Sequence, residues 1–246
     1  MIPKVINYCW FGKTELPELA IKCINSWKKF LPDYEIKEWN EDNFDINIIP
    51  YTTEAYKAKK YAFVSDYARF WILYHYGGLY FDTDVEIIKS IDDIMAKGAF
   101  LGCEKKADGE LVPGVLVNPG LGMGASPRLP IYKEILDFYS KLSFIKYDGS
   151  YNMETVVTYT TNILNKHKLL NTNQIQKCAD IWIYPKEYFC PYGDGYVFEN
   201  TDNTRTIHYG SASWFSPWRK FKKKMLRVLG PNIAKNLIKI KQKLNI

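Results

Sequence analysis

Paired cysteines, long apolar runs and internal repeats are all missing from this chain of 246 residues. Its five cysteines, Cys9, Cys23, Cys103, Cys178 and Cys190, are odd in number and show no CxxC spacing. That excludes a zinc or disulfide framework and leaves reduced, mostly buried thiols of the kind a cytoplasmic protein carries. No stretch approaches the ~18 consecutive apolar residues of a membrane span. The N-terminus lacks the basic and apolar regions of a secretory signal, so none is expected. No low-complexity linker divides the chain, and 47% hydrophobic with 16% aromatic residues is enough for one α/β core.

The C-terminal region lacks acidic residues and is crowded with basic ones. Ten of the 33 Lys and Arg fall between Arg219 and Lys243, where there is no Asp or Glu, so the body keeps 23 basic against 27 acidic residues. Ile233, Leu237, Ile240 and Leu244 recur there at helical spacing, and Phe221, Met225 and Val228 form a shorter stripe before the Gly230-Pro231 break. This predicts a body over 1–218 and a basic amphipathic tail over 219–246. The tail's expected partner is an anionic membrane surface, where each basic residue contributes about 1 kcal/mol. Two alternatives stay open: a helix docked on the body with a solvated basic face, and nucleic-acid binding through counterion release. The acidic body and the absence of any RNA or DNA module motif argue against nucleic acid.

Residues 3–9 and 34–39 read as strands, 17–30 and 53–76 as helices, and 79–82 as a short buried strand. Further helices are expected over 127–142 and over 152–167, the latter capped by Asn152 with Glu154 in its first turn. Such alternation predicts a sheet with helices packed on it and ligands bound beyond the carboxyl ends of its strands. The run Asn118-Pro119-Gly120-Leu121-Gly122-Met123-Gly124 is mid-chain and lacks the context of a dinucleotide fingerprint. It reads as a tight turn bringing backbone close to a ligand, or as a plain loop.

Residues 65–84, SDYARFWILYHYGGLYFDTD, carry the densest chemistry. Asp82 and Asp84 follow an apolar strand-like run, and two carboxylates so placed can share one hard divalent cation whose other positions go to phosphate and water. A solvated acidic turn is the plain alternative. Upstream, Asp66 and Arg69 share a helix face at i,i+3 spacing, as a local ion pair or as groups beside the metal loop. Gly77-Gly78 stops that helix. Of the three histidines, His75 and His167 read as structural, and His208 as either structural or a ligand. Most of the seven Trp and 19 Tyr are core material.

The segment from Ala62 to Val85 resembles the sugar-binding region with the DXD motif in glycosyltransferase family 32, shared in outline with yeast-type initiating mannosyltransferases, bacterial capsule glycosyltransferases and the catalytic domain of clostridial glucosylating toxins. Ile2 to Gly12 resembles the family's opening strand, where a His often stands at the place of Asn7. Pro32 to Asn40 resembles its second strand, Tyr184 to Pro191 the element leading into the final site, and Thr206 to Trp214 its closing segment.

The resemblance implies a GT-A-type, single Rossmann-like α/β domain with a mixed central sheet. It implies Asp82, Asp84 and His208 as ligands of Mn²⁺ (or Mg²⁺), with imidazole favouring Mn²⁺. The donor, a UDP-sugar, would contact Trp10, Phe11, Tyr80, Thr83 and Ser213. Asp66 would hold sugar hydroxyls, Arg69 would touch sugar and phosphate, and Trp214 would donate its indole N–H toward the diphosphate or glycosidic oxygen. The implied activity is retaining transfer of a hexose, galactose or glucose, to a polyprenyl-linked glycan in bacterial capsule synthesis, peripheral to the inner face of the membrane. A nucleotide-sugar hydrolase is the enzymatic alternative.

Overall fold

The computed structural model describes residues 1–104, 115–191, 198 and 200–210. Three parallel strands open the sheet: β1 (Val5–Cys9), then, after helix α1 (Glu18–Phe30), β2 (Glu35–Trp39), and, after α2 (Pro50–Lys57) and α3 (Tyr61–Tyr76), β3 (Gly78–Tyr80). Strand β4 (Val85–Ile87) and the short α4 (Asp92–Met95) lead to β5 (Phe100–Glu104) and β6 (Leu116–Ala125). Helices α5 (Pro130–Tyr139) and α6 (Val156–Lys166) precede β7 (Gln176–Cys178), β8 (Ile181–Tyr184), α7 (Lys186–Phe189) and β9 (Thr206–His208). Seven strands form one mixed sheet in the order β2-β1-β3-β6-β5-β8-β7, with β6 antiparallel to both neighbours. Strands β4 and β9 form a separate two-stranded ladder. The expected α/β fold with a mixed sheet is thus present.

Two apolar clusters cover the two faces of the sheet. One gathers Phe63, Val64, Tyr67 and Phe70 of α3 with Ile131 and Ile135 of α5 and Ile163 of α6; the other gathers Cys23, Ile24 and Trp27 of α1 with Val85, Ile87 and Ile94. The two-residue period of β3 decides which side chain goes where. Leu79 and Phe81 join the α1 face, where the Phe81 ring lies 5.6 Å from that of Trp27, while Tyr80 turns to the α3 face. Asn7, 1% exposed, ties three strands together: its Nδ2 donates to Leu79 O at 3.0 Å and its Oδ1 accepts from Trp39 Nε1 at 2.8 Å.

Several boundaries differ from the sequence reading. Helix 53–76 is two helices, because the chain turns at Lys59, which adopts φ 56. The helix expected over 152–167 starts at Val156, capped by Thr155, whose hydroxyl accepts from Thr158 N; Asn152 and Glu154 precede it, and Asn152 bonds the Tyr159 hydroxyl instead. The helix over 127–142 contracts to α5, with Pro130 in its first turn, where its missing N–H is harmless. Gly77 does stop α3, at φ 69 with its N–H on Leu73 O. The glycine-rich run is not a turn. It is the interior of β6, buried from Val117 to Ala125 between β3 and β5. All five cysteines are free, four of them buried. Among the described residues no helix is long and apolar enough to cross a membrane. The tail over 219–246 lies outside the described residues.

Candidate active site

The site forms where the chain leaves β3. Residues 83 and 84 make a turn, closed by Val85 N donating to Asp82 O at 3.0 Å, so both acids project from the carboxyl end of a central strand. Past the turn, β4 pairs antiparallel with β9 and sets Val85 opposite His208, while Tyr209 N donates to Asp84 O at 3.0 Å. That register carries His208 Nε2 to 3.2 Å from Asp84 Oδ1. One ligand atom from each of Asp82, Asp84 and His208 lies within 4.8 Å of the others. Two carboxylates and an imidazole at this spacing fit one divalent ion, with a nitrogen that suits Mn²⁺ better than Mg²⁺. Burial works against a charged His208, but Asp84 outweighs it and raises the imidazole's pKa.

Arg69 is the second anchor. Only 3% exposed, it reaches Asp66 Oδ1 at 3.0 Å and Asp82 Oδ1 at 3.1 Å through Nη2, donates from Nε to Ser65 O at 3.1 Å and lies 5.1 Å from the centre of the Tyr80 ring. The Asp66–Arg69 pair is thus a local bridge that also reaches Asp82. Burial pulls the guanidinium's pKa down but Asp82, Tyr80 and Asp66 more than offset it, so Arg69 stays a cation. Its Nη1 is buried without a hydrogen-bond partner. Burial raises the Asp66 carboxyl's pKa, while Arg69 and the Val156 N–H, at the start of α6, favour its charge.

These groups line a cleft of about 410 Å³. Every expected site residue among those described, Trp10, Phe11, Asp66, Arg69, Tyr80, Asp82, Thr83, Asp84 and His208, lies on its wall; Ser213 and Trp214 fall outside the described residues. Trp10 sits just beyond β1 and donates Nε1 to Thr14 O at 2.6 Å. Its loop is held by Glu41, which accepts from Gly12 N at 2.7 Å and from the Tyr56 hydroxyl at 2.8 Å. Phe11 is buried against Phe44, with ring centres 5.7 Å apart.

Sequence reasoning missed Glu104, Asn118 and the Thr155–Val157 segment, all on the cleft wall. Asn118 Nδ2 donates to Glu104 Oε2 at 2.7 Å and its Oδ1 accepts from Gly120 N at 2.8 Å. Glu104 ends β5, and no local pattern marks it. Thr155 was recoverable as a cap immediately before the apolar pair Val156-Val157.

Gly120 does for the site what the expected turn does not. Its strand passes so close that a Cβ there would come within 2.1 Å of Asp82 Oδ2. Gly120→Ala is therefore expected to push Asp82 aside, raising the Mn²⁺ concentration for half-maximal activity at a stability loss of about 1–3 kcal/mol. A metal titration with a urea melt checks this; an unchanged metal requirement would show that Asp82 tolerates displacement.

Residues 17–101 match a protein family described as the glycosyltransferase sugar-binding region containing DXD motif. The chain is 27% identical over 206 residues to an uncharacterized glycosyltransferase of Acanthamoeba polyphaga mimivirus, covering 78% of each. It is 29% identical over 111 residues to inositol phosphoceramide mannosyltransferase 1 of Schizosaccharomyces pombe, covering 41% of this chain but only 33% of that one, so it spans about a third of the fungal relative's length. Among solved structures, PaToxG glycosyltransferase superposes with a TM-score of 0.50 over 67% of this chain and 69% of its own, at 19% identity. The fold is thus the GT-A glycosyltransferase fold, and residues 17–101 are similar to the glycosyltransferase sugar-binding region that contains the DXD motif.

Proposed function

We propose that the chain is a metal-dependent, retaining hexosyltransferase that takes its sugar from a nucleoside diphosphate donor, with UDP-galactose or UDP-glucose as the first choice. One observation carries this reading: Asp82, Asp84 and His208 converge beside a buried guanidinium with an unpartnered Nη1. Those three side chains would hold a divalent cation, which when bound would supply Lewis-acid compensation of the charge growing on the departing diphosphate. Arg69 offers Nη1 to a donor oxygen, and the carboxylates it bridges keep it aimed. Asp66 accepts from sugar hydroxyls, Trp10 stacks on the base, and Phe11, Tyr80 and Thr83 shape the pocket around them. Trp214 is assigned to donate its indole N–H toward the diphosphate or the glycosidic oxygen and Ser213 to contact the donor; both lie outside the described residues.

Retention rests on the family resemblance, and departure and attack on one face of the sugar is the default where no carboxylate is assigned as a nucleophile. A retaining glycosidase needs two opposed carboxyl groups roughly 5 Å apart. Here Asp66 and Asp82 are held by Arg69, Asp84 by His208 and Glu104 by Asn118. That weighs against a glycosidase-type double displacement; the nucleotide-sugar hydrolase alternative is separated by whether sugar release requires an acceptor other than water.

A second donor has support of its own, because the fungal relative is named a mannosyltransferase of inositol phosphoceramide; a mannosyl donor on a phospholipid-like acceptor is the competing reading. The polyprenyl-linked acceptor, the capsule setting and the inner-face location rest on the sequence resemblance to short bacterial capsule enzymes. Hydrolysis of UDP-galactose, UDP-glucose and GDP-mannose, each with and without Mn²⁺, separates the two donor readings. Mn²⁺-stimulated release from one UDP-hexose is expected. Turnover of GDP-mannose alone would install the second reading, and no stimulation by Mn²⁺ on any donor would contradict both.

The division into a 1–218 catalytic domain and a 219–246 membrane tail is part of the same proposal. Truncation after Trp218 should leave transfer to a short soluble acceptor nearly unchanged and sharply reduce sedimentation with anionic vesicles. Equal sedimentation of the two forms would remove the membrane role.

A further inference from the structure

His208, the proposed metal ligand, stands at the end of a short ladder that other elements help to hold, Thr206 Oγ1 donating to Phe189 O at 3.1 Å and Arg205 N to Tyr188 O at 2.8 Å. Strands β4 and β9 have three residues each and form a sheet of two strands, an arrangement that is marginal by itself in water. Three side chains of α1 hold this ladder from the side opposite the cleft. Trp27 Nε1 donates to Val85 O at 2.7 Å, and Ser26 Oγ accepts from Ile87 N at 2.9 Å, so β4 is pinned at both ends. The third anchor joins both strands: Lys22 Nζ lies 2.8 Å from Glu86 Oε2 on β4 and 2.8 Å from the hydroxyl of Tyr209, the residue after His208. Tyr209 donates the same hydroxyl to Glu86, closing a three-membered ring of contacts, and Lys22 Nζ also stands 5.0 Å from the centre of the Tyr209 ring.

We propose that Lys22, Glu86 and Tyr209 form a clamp that positions His208 toward the metal, rather than a stabilising surface ion pair. The inference rests on the metal reading of Asp82, Asp84 and His208. Two features favour it. The Lys22 side chain is 54% exposed, and solvent at that ammonium limits what its pairing with the more buried Glu86 adds to global stability. Yet it grips β9 one residue from His208 and β4 one residue from Val85, the strand partner of His208. None of the three lines the cleft. They are positioning residues, acting on the site only through the backbone of β4 and β9.

Supporting side chains of metal ligands typically change affinity by about 10–100-fold when removed. The test is Mn²⁺ binding itself, read as loss of the free-ion paramagnetic resonance signal in the presence of UDP, with full-length wild type and the variants Lys22→Met, Tyr209→Phe and Lys22→Arg. Lys22→Met and Tyr209→Phe are expected to weaken Mn²⁺ binding by about tenfold, with thermal midpoints close to wild type and recovery in Lys22→Arg. Wild-type affinity in both variants would overturn the clamp. So would a large fall in thermal midpoint alongside the lost affinity, because the contacts would then be structural. No Mn²⁺ uptake by wild type would overturn the metal site and the clamp with it, an outcome distinct from the clamp's own failure, in which wild type binds and the variants match it.

Discussion

Asp84→Asn is expected to lower turnover by about 10³-fold or more while the protein stays folded. Asparagine keeps the shape of the side chain but is a poor ligand for a hard cation, and the Lewis-acid contribution lost is several kcal/mol, about 4 kcal/mol for 10³-fold. The fold should survive because the two hydrogen bonds that shape the loop are made by backbone. Val85 N donates to Asp82 O and Tyr209 N to Asp84 O, and a side-chain change touches neither. Asp82→Asn should lose activity similarly or somewhat less but should also loosen the protein, since Asp82 is one of two carboxylates on Arg69. Steady-state rates with a circular-dichroism melt check both. Activity of Asp84→Asn within about tenfold of wild type, a barrier change of only ~1.4 kcal/mol, would remove the catalytic metal from this loop.

Arg69→Ala should produce the largest loss of stability of any single change near the site. It leaves the carboxylates of Asp66 and Asp82 facing each other without the cation between them, in a place where Arg69 is 3% exposed. Breaking a buried ion pair by deleting one partner costs about 3–5 kcal/mol. Transfer should vanish as well, because the group with the unpartnered Nη1 is gone. Arg69→Lys should restore part of the stability and little of the activity, since one ammonium cannot reproduce a fork that reaches Asp66, Asp82 and Ser65 O together. Urea denaturation of the two variants measures this. A loss below ~1 kcal/mol for Arg69→Ala, the range of an exposed pair, would mean that Arg69 is a surface ion-pair partner and not the anchor of the site.

Those residues were legible in the sequence because their signals are local. An acid pair directly after an apolar strand, an i,i+3 pair on a helix and a double-glycine stop all lie within residues 65–84, and the register of β1, β2 and β3 then places that segment at the carboxyl end of the sheet. His208 was legible only through the family resemblance, because the partner it needs is 124 positions away and is supplied by the Val85–His208 pairing. The glycine run was misread for a related reason. Glycine in a turn and glycine beneath a close neighbour look alike in sequence, and only the packing of β6 against Asp82, Phe81 and Phe100 separates them. Glu104 and the Lys22–Glu86–Tyr209 contacts were invisible because they join elements distant in the chain through single polar side chains, which leave no periodic trace. Asn7, at a place where the resembling family often has His, is a strand brace bonded to Leu79 and Trp39.

The central claim is that Asp82, Asp84 and His208 hold one divalent ion that a nucleoside diphosphate completes. Crystals grown with Mn²⁺ and UDP, measured at a wavelength where manganese scatters anomalously, test it most directly. The account predicts a single strong anomalous peak within bonding distance of a carboxylate oxygen of each Asp and of His208 Nε2, with the diphosphate on the ion's remaining positions. Density for UDP in the cleft with no manganese peak at these three side chains, or a peak elsewhere, would contradict it.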